Sequence, residues 1–344
     1  MDSALNLSQL AKYFSDEDAA RELLEQMRWG KGGAVCPHCG GADPYKLVAK
    51  ATSKKPGRKG LYKCKACRKQ FTVTVKTVFE DSRIPISKWL LALHLLASSK
   101  KGVSAHQLHR NLGISYKAAW FMAHRLRYAM SQEPLELMVG TIEADETYVG
   151  GRRKRVRGES KKEAQGKKFD NKVPVVALVN RDTGKVRATV MPRVTRENLH
   201  EYIRNNVQMK HSRLYTDEAP VYEHIGRRFF SHESVKHSEG EYARGTVNTN
   251  SAEGFFGILK RGITGVYHHV GKGHLNKYVD EFSFRYKLAH GERRTTGRNA
   301  GPGRSREAPD LQTASLSGRD GRKPSSKLVK PRDAKRHSRP LIGS

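Results

Sequence analysis

Two C-x-x-C knuckles set the strongest constraint on how this chain can fold. "VCPHCGG" supplies Cys36 and Cys39, "YKCKACRKQF" supplies Cys64 and Cys67, and 24 residues separate the two knuckles. Each knuckle offers two sulfurs from one tight turn. Four thiolates in this arrangement suit tetrahedral zinc and leave no open coordination position, so the ion's role is structural. His38, inside the first knuckle, is a spare donor that four cysteines make unnecessary. The 344-residue chain has only these four cysteines. None remains for a disulfide framework, which fits a reducing compartment, the cytoplasm. The competing account, a redox C-x-x-C, explains one knuckle but not the pair, which reads as a zinc ribbon spanning 31–80. After the second knuckle, Phe71, Val73 and Val75 alternate with Thr72 and Thr74, a strand pattern. The insert "KATSKKPGRKG" is a basic hairpin loop that either touches phosphate or is only solvated.

The formal net charge is +31, far beyond what solubility requires, and a polyanion is the natural partner of such a field. An anionic membrane is the rival, but no long apolar segment or signal peptide is present, which leaves nucleic acid and no membrane. Residues 1–30 read as a short amphipathic helix with Ser15 as N-cap and Leu23, Leu24 and Met27 on one face.

Residues 81–135 are helical in pattern. "SKWLLALHLLASS" is apolar. It is followed by "SAHQLHRNLGISYKAAWFMAHRLRYAM", a helix, a tight "LGIS" turn and a second helix, the spacing of a helix-turn-helix. Leu108, Leu112, Ala119, Met122 and Leu126 form its inner face, and Trp89 and Trp120 read as core. Tyr116, Lys117, His124, Arg125 and Arg127 are the candidates to reach DNA. The bland alternative is a helical pair joining two domains.

Residues 136–290 alternate strands and helices. "VGTIEADETYVG" is a strand. "VPVVALVN" and "VRATVMP" are strands joined by "RDTGK", with Asp and Gly where a hairpin needs them. "TRENLHEYIRNNV" is an amphipathic helix capped by Thr195, and "SRLYTDE" is a strand ending in acids. The order predicts an α/β fold with a mixed sheet. Two segments carry no apolar period. One is the basic loop 151–168, with Arg152, Arg153, Lys154 and Arg155, expected to be mobile. The other is 291–344, rich in Gly, Pro, Ser, Arg and Lys and expected to be disordered.

Polar functional groups gather at strand ends in α/β sheets. Asp145 lies on the first strand, Asp217 at the end of a later one, and Glu253 in the helix "NSAEGFFGILK". Three convergent carboxylates in so basic a protein suit a pair of magnesium or manganese ions, since hard cations take oxygen ligands. Each acid alone could equally be solvated. Glu253 has a local explanation too, a capping box with Asn250 as N-cap. That box leaves Gly257 and Lys260 unexplained, although both share Glu253's helical line. His268, His269 and His274, in a basic Gly-rich stretch, read as backbone contacts or structure rather than as a metal site.

"EADETYVGG", "YTDEAPVY" and "VNTNSAEGFFGILKRGITGVYHHV" resemble the three catalytic blocks of zinc-ribbon DDE transposases of bacterial insertion sequences. The ribbon, "FTVTVKTVFEDSRIPISKWLLALHLL" and "YVDEFSFRYK" are similar to that family as well, so the resemblance runs over roughly residues 12–290. It implies an RNase H-like catalytic core that moves a mobile DNA element by metal-dependent strand cleavage and transfer. Asp145, Asp217 and Glu253 would then be the catalytic triad and ligands of two Mg²⁺ or Mn²⁺ ions. Some members use Asn as the third ligand, and Asn248 and Asn250 sit close by. Lys260 would be a basic catalytic residue, and Lys260 and Arg261 would contact DNA with Lys117, Arg125 and Arg127. The partners implied are the element ends and target DNA, bound by a homo-oligomer, at least a dimer, on the nucleoid. The alternatives are a non-catalytic zinc-ribbon and helix-turn-helix regulator, which has no use for carboxylates beside phosphate, and an inactive relic.

Overall fold

The computed structural model describes residues 7–48, 58–131, 136–151, 157–158, 160, 171–241 and 243–297. It begins with two helices, α1 (Leu7–Ser15) and α2 (Glu17–Trp29). A single helix capped by Ser15 was expected; a preceding helix forms as well, and the cap falls one residue later. Ser15 closes α1, its hydroxyl donating to the Ala11 carbonyl, and Asp16 caps α2 by accepting from the Asp18 amide. Leu23 and Leu24 are buried with Val73, Ile86 and Leu90.

The ribbon is a three-stranded antiparallel sheet of β1 (Pro44–Lys46), β2 (Tyr62–Cys64) and β3 (Gln70–Phe71). The strand expected to run on to Val75 stops at Phe71. Beyond it the chain turns, the Val75 amide donating to the Thr72 carbonyl and Thr77 to Thr74. Phe71 and Val73 are still buried, so the alternation marked burial correctly while threonine-rich turns replaced the ladder.

The helical region holds α3 (Ile86–Ser98), α4 (Ala105–Leu112) and α5 (Tyr116–Met130). Ser104 and Ser115 cap the last two, accepting from Gln107 N and Ala118 N, and Gly113 ends α4 in the left-handed region at φ 57°. This is the helix-turn-helix read from "LGIS". Trp89, Leu108, Leu112, Ala119, Met122 and Leu126 share one core.

The remaining elements are β4 (Met138–Val149), β5 (Val173–Asn180), β6 (Val186–Val190), α6 (Arg196–Asn206), β7 (Val207–Thr216), α7 (Pro220–Gly226), β8 (Ser231–Ser234), α8 (Asn250–Gly262) and α9 (Leu275–Gly297). The sheet order is β6-β5-β4-β7-β8. β5 pairs antiparallel with β4 and with β6, whereas β7 pairs parallel with β4 and with β8. This is the mixed sheet of an RNase H-like core. On one face, Ile142, Ala144, Leu178 and Leu214 pack with Leu199, Ile203, Tyr222 and Ile225 of α6 and α7. On the other, Val175, Ala177 and Val179 pack with Ala252, Phe255, Phe256 and Leu259 of α8 and Val279 and Phe282 of α9. α9 continues to Gly297, past residue 291, where a disordered tail was expected to begin. Arg152, Arg153, Lys154 and Arg155, most of the 50–60 insert and residues 298–344 lie outside the described residues.

Candidate active site

Both cysteine knuckles are built by the same backbone turn. The Gly40 amide donates to Cys36 O and the Arg68 amide to Cys64 O. In each, the residue after the second cysteine takes positive φ, 76° at Gly40 and 60° at Arg68. All four sulfurs lie within 4.8 Å of one another, with Cys36 and Cys67 at 3.7 Å and Cys39 and Cys64 at 3.6 Å. Zinc–sulfur bonds of about 2.3 Å in a tetrahedron put sulfurs roughly 3.8 Å apart, so the residues present fit zinc. Among the described residues this is the only cluster of three or more His, Cys, Asp or Glu closed to that degree.

The carboxylates gather at the carboxyl end of the adjacent parallel strands β4 and β7. These pair Ile142 with Leu214 and Glu143 with Tyr215, a register that, carried two residues on, brings Asp145 beside Asp217. The Asp145 carboxyl is pushed up to about 7, first by burial and then by repulsion from Glu146, Asp217 and Glu253. All three expected acids therefore share one electrostatic site. Sequence reasoning missed its fourth member, Glu146, although the run "EADE" displayed it. Glu146 accepts from the Tyr222 hydroxyl at 2.6 Å, and burial raises its pKa.

Glu253 stands exposed in the first turn of α8. The capping box does not form. Thr249, not Asn250, is the N-cap; its hydroxyl accepts from no helix amide but donates to the Glu253 carboxylate at 3.4 Å. The helix start is held instead by Glu143, whose carboxylate accepts from the amides of Ser251 at 2.8 Å and Ala252 at 2.9 Å. Asn248 Oδ1 accepts from Arg181 and from the Asn250 amide. Lys260 is exposed on the same side of α8 as Glu253. A Cβ on Gly257 would meet only the Arg261 guanidinium, at an ordinary 3.5 Å, so packing within the protein does not require glycine there.

The DNA-contact candidates divide. Lys117 is exposed at the start of α5, beside Tyr116. Arg125 is half-buried, its guanidinium donating to the Glu80 carbonyl and lying over Trp89. Arg127 is not a contact residue. It is 2 % exposed and ion-paired to Glu281 at 2.6 Å between Tyr267 and Tyr278. His124 is buried as well, against Trp120 and His274, and burial lowers its pKa to about 4. On an amphipathic helix rich in Arg and His, periodicity could not show that an arginine spends its charge on a glutamate 154 residues away.

A closed four-sulfur ribbon, a helix-turn-helix and an RNase H-like sheet with acids at its carboxyl edge define a zinc-ribbon α/β protein of the kind that handles nucleic acid. Two family profiles match it in separate segments. Residues 15–70 match the transposase zinc-ribbon domain, and residues 138–287 match the ISXO2-like transposase domain. Over 286 residues, 80 % of this chain and 93 % of the relative, it is 29 % identical to a protein of Halobacterium salinarum described as an uncharacterized protein in transposable element ISH50. Both matched segments are thus similar to domains of insertion-sequence transposases. No helix among the described residues is long and apolar enough to cross a membrane.

Proposed function

We propose that this chain cleaves the ends of its insertion sequence and joins them to target DNA, with Asp145, Asp217 and Glu253 holding two divalent cations. The reading is supported above all by the state of Asp145. Burial and three neighbouring acids hold its carboxyl near 7 in a chain whose net charge is +31. Elsewhere in the described structure the buried acids Glu143 and Glu281 each have an arginine. A carboxylate cluster in this state fits hard cations from solution. Bound there, two such ions supply Lewis-acid activation of an attacking oxygen and stabilise the departing one.

The chain's own residues do the rest. Asp145 gives up its proton when a cation enters. Lys260, two helical turns from Glu253 and roughly 10 Å along the axis, meets a phosphate of the element end, and the bare Gly257 between them lets the DNA backbone approach α8. Asn248 does not serve as third ligand, because its side-chain oxygen is taken by Arg181 and the Asn250 amide. The α4–α5 unit, with Lys117 at the start of its second helix, contributes DNA binding. So does the basic segment containing Arg152, Arg153, Lys154 and Arg155.

The test is incubation of purified protein with end-labelled element DNA and Mg²⁺ or Mn²⁺. Asp145→Ala, Asp217→Ala and Glu253→Gln are expected to lower cleavage and joining by several orders of magnitude while DNA binding survives. Binding should weaken by orders of magnitude between about 50 and 200 mM salt, because several phosphate contacts release counter-ions. Substantial cleavage by either aspartate variant would refute the assignment. An active Glu253→Gln with an inactive, folded Asn250→Ala would move the third ligand to Asn250.

A further inference from the structure

Glu143 lies two residues before Asp145 on β4 and on the same face, since side chains alternate along a strand. It is 0 % exposed, and its hydrogen-bond partners are an arginine and two backbone amides. One of its oxygens accepts from Arg181 Nε. The other accepts from the amides of Ser251 and Ala252, the two residues immediately before Glu253. Arg181, in the β5–β6 turn, carries the brace further. It donates to the carbonyl of Thr246 at 2.5 Å and to the Asn248 side chain in the loop that enters α8. Its own amide donates to Thr141 O on β4 at 2.9 Å, so the arginine is anchored to the strand it serves.

We infer that Glu143 and Arg181 are positioning residues that set the separation of the metal-holding acids. The inference rests on the reading of Asp145 and Glu253 as ligands. The route from Asp145 to Glu253 through this brace is short: two residues of strand, about 6.6 Å, then one carboxylate, then one residue of helix. The covalent path between the same two acids runs through 107 intervening residues. Glu253 is exposed on the first turn of a helix whose cap residue, Thr249, caps no amide and makes only a long 3.4 Å hydroxyl bond to the Glu253 carboxylate. Without Glu143 the orphan amides of that turn lose their acceptor, and the turn can fray away from β4. A buried carboxylate accepting from two helix amides is also the charge that a helix N-terminus favours. Glu143 therefore belongs to the motif "EADE" without touching the metals. Its role is to keep Glu253 opposite Asp145 before any cation arrives.

The experiment compares full-length Glu143→Gln, Arg181→Ala and Glu253→Gln by two readouts. The first is hydrogen exchange at the Ser251 and Ala252 amides without divalent metal. Glu143→Gln and Arg181→Ala should raise it at least tenfold, whereas Glu253→Gln leaves it close to wild type. The second is titration with Mn²⁺ alone, followed by cleavage of element-end DNA across the same Mn²⁺ range. The two brace variants should need about tenfold or more Mn²⁺ for half-saturation and regain much of the wild-type rate when saturated. Glu253→Gln should not regain it at any concentration. Rescue by saturating metal separates positioning from ligation. If Glu143→Gln stays inactive at saturating Mn²⁺ with its amides still protected, Glu143 is itself a ligand and the inference is wrong. Unchanged exchange and unchanged Mn²⁺ demand in both brace variants also overturn it. Should Glu143→Gln fail to fold, Arg181→Ala, altered at a partly exposed side chain, carries the same comparison. If Glu253→Gln proves active while the brace variants still expose the two amides, the ligand reading has failed and the brace has not.

Discussion

The sulfur cluster and the carboxylate cluster are built on opposite plans. The four sulfurs come from two near-identical turns and already sit 3.6–3.7 Å apart in pairs, close to the edge length of a zinc tetrahedron. The acids come from two strands and a helix, and they are held in electrostatic reach without closing. A closed set of four ligands saturates its ion and stabilises a small sheet that has little apolar core of its own. An open set of acids is costly while their mutual repulsion goes unneutralised. The first arrangement makes structure and the second stores demand for a ligand.

The largest effect expected from this contrast is at the sulfurs. Replacing Cys64 and Cys67 together with Ser should reduce bound zinc from about one per chain to none and unfold the ribbon, since structural zinc sites contribute on the order of 10 kcal/mol to folding. Full zinc retention in that variant, measured by metal analysis, would sink the assignment. At the acids the sign reverses. Asp145→Asn, studied without divalent metal at pH 8, should stabilise the fold by roughly 2–4 kcal/mol, because a carboxyl raised from 3.8 to about 7 opposes folding once ionised. In wild type that opposition develops with pH. Below 3.8 the group is protonated in both states. Between 3.8 and about 7 only the unfolded chain has released the proton, so stability falls as pH rises, and above 7 the loss is complete. Thermal melts of both proteins from pH 4 to 8 check it. Parallel curves would show that Asp145 does not titrate as described.

A third expectation is smaller and concerns binding. Mn²⁺ must displace the Asp145 proton, so its affinity should fall by up to tenfold per unit below pH 7, about 1.4 kcal/mol each. A flat titration between pH 5.5 and 7 would break the link. The smallest effect is at Arg68, which occupies the left-handed backbone position that Gly40 fills in the sister knuckle. Arg68→Gly should leave zinc content unchanged and raise ribbon stability by a few tenths of a kcal/mol, the strain relieved less the entropy glycine loses on folding.

The two plans also explain how much could be read beforehand. Cysteine spacing is local, so the ribbon was legible from two four-residue turns. Four of the five strands of the sheet, the Thr195 cap and the helix-turn-helix followed from periodicity and turn residues for the same reason. Asp145, Asp217 and Glu253 are proposed as a set only through their blocks of surrounding sequence. What stayed hidden depended on contacts between distant segments. Arg127 and Arg125 looked like outward-facing cations because nothing local announces Glu281 or the Glu80 carbonyl. Asn250 looked like an N-cap because Glu143, which takes over the helix amides, lies more than a hundred residues earlier. The short elements α7 and β8, seven and four residues long, offered too few turns or alternations to show a period.

The buried meeting of Arg127, Glu281, Arg285 and Tyr267 joins α5 to α9, with Arg285 reaching on to the Ser99 carbonyl at the end of α3. An ion pair sealed from water does not slide or hinge cheaply, since parting it strands a charge in the interior. The helix-turn-helix and the five-stranded sheet are thereby fixed to one another as the two jaws of a calliper with its screw tightened. If the first jaw grips a sequence, the second meets the duplex a set number of base pairs away. On the proposed function, the distance from recognition sequence to cut is then written in a salt bridge rather than in the DNA.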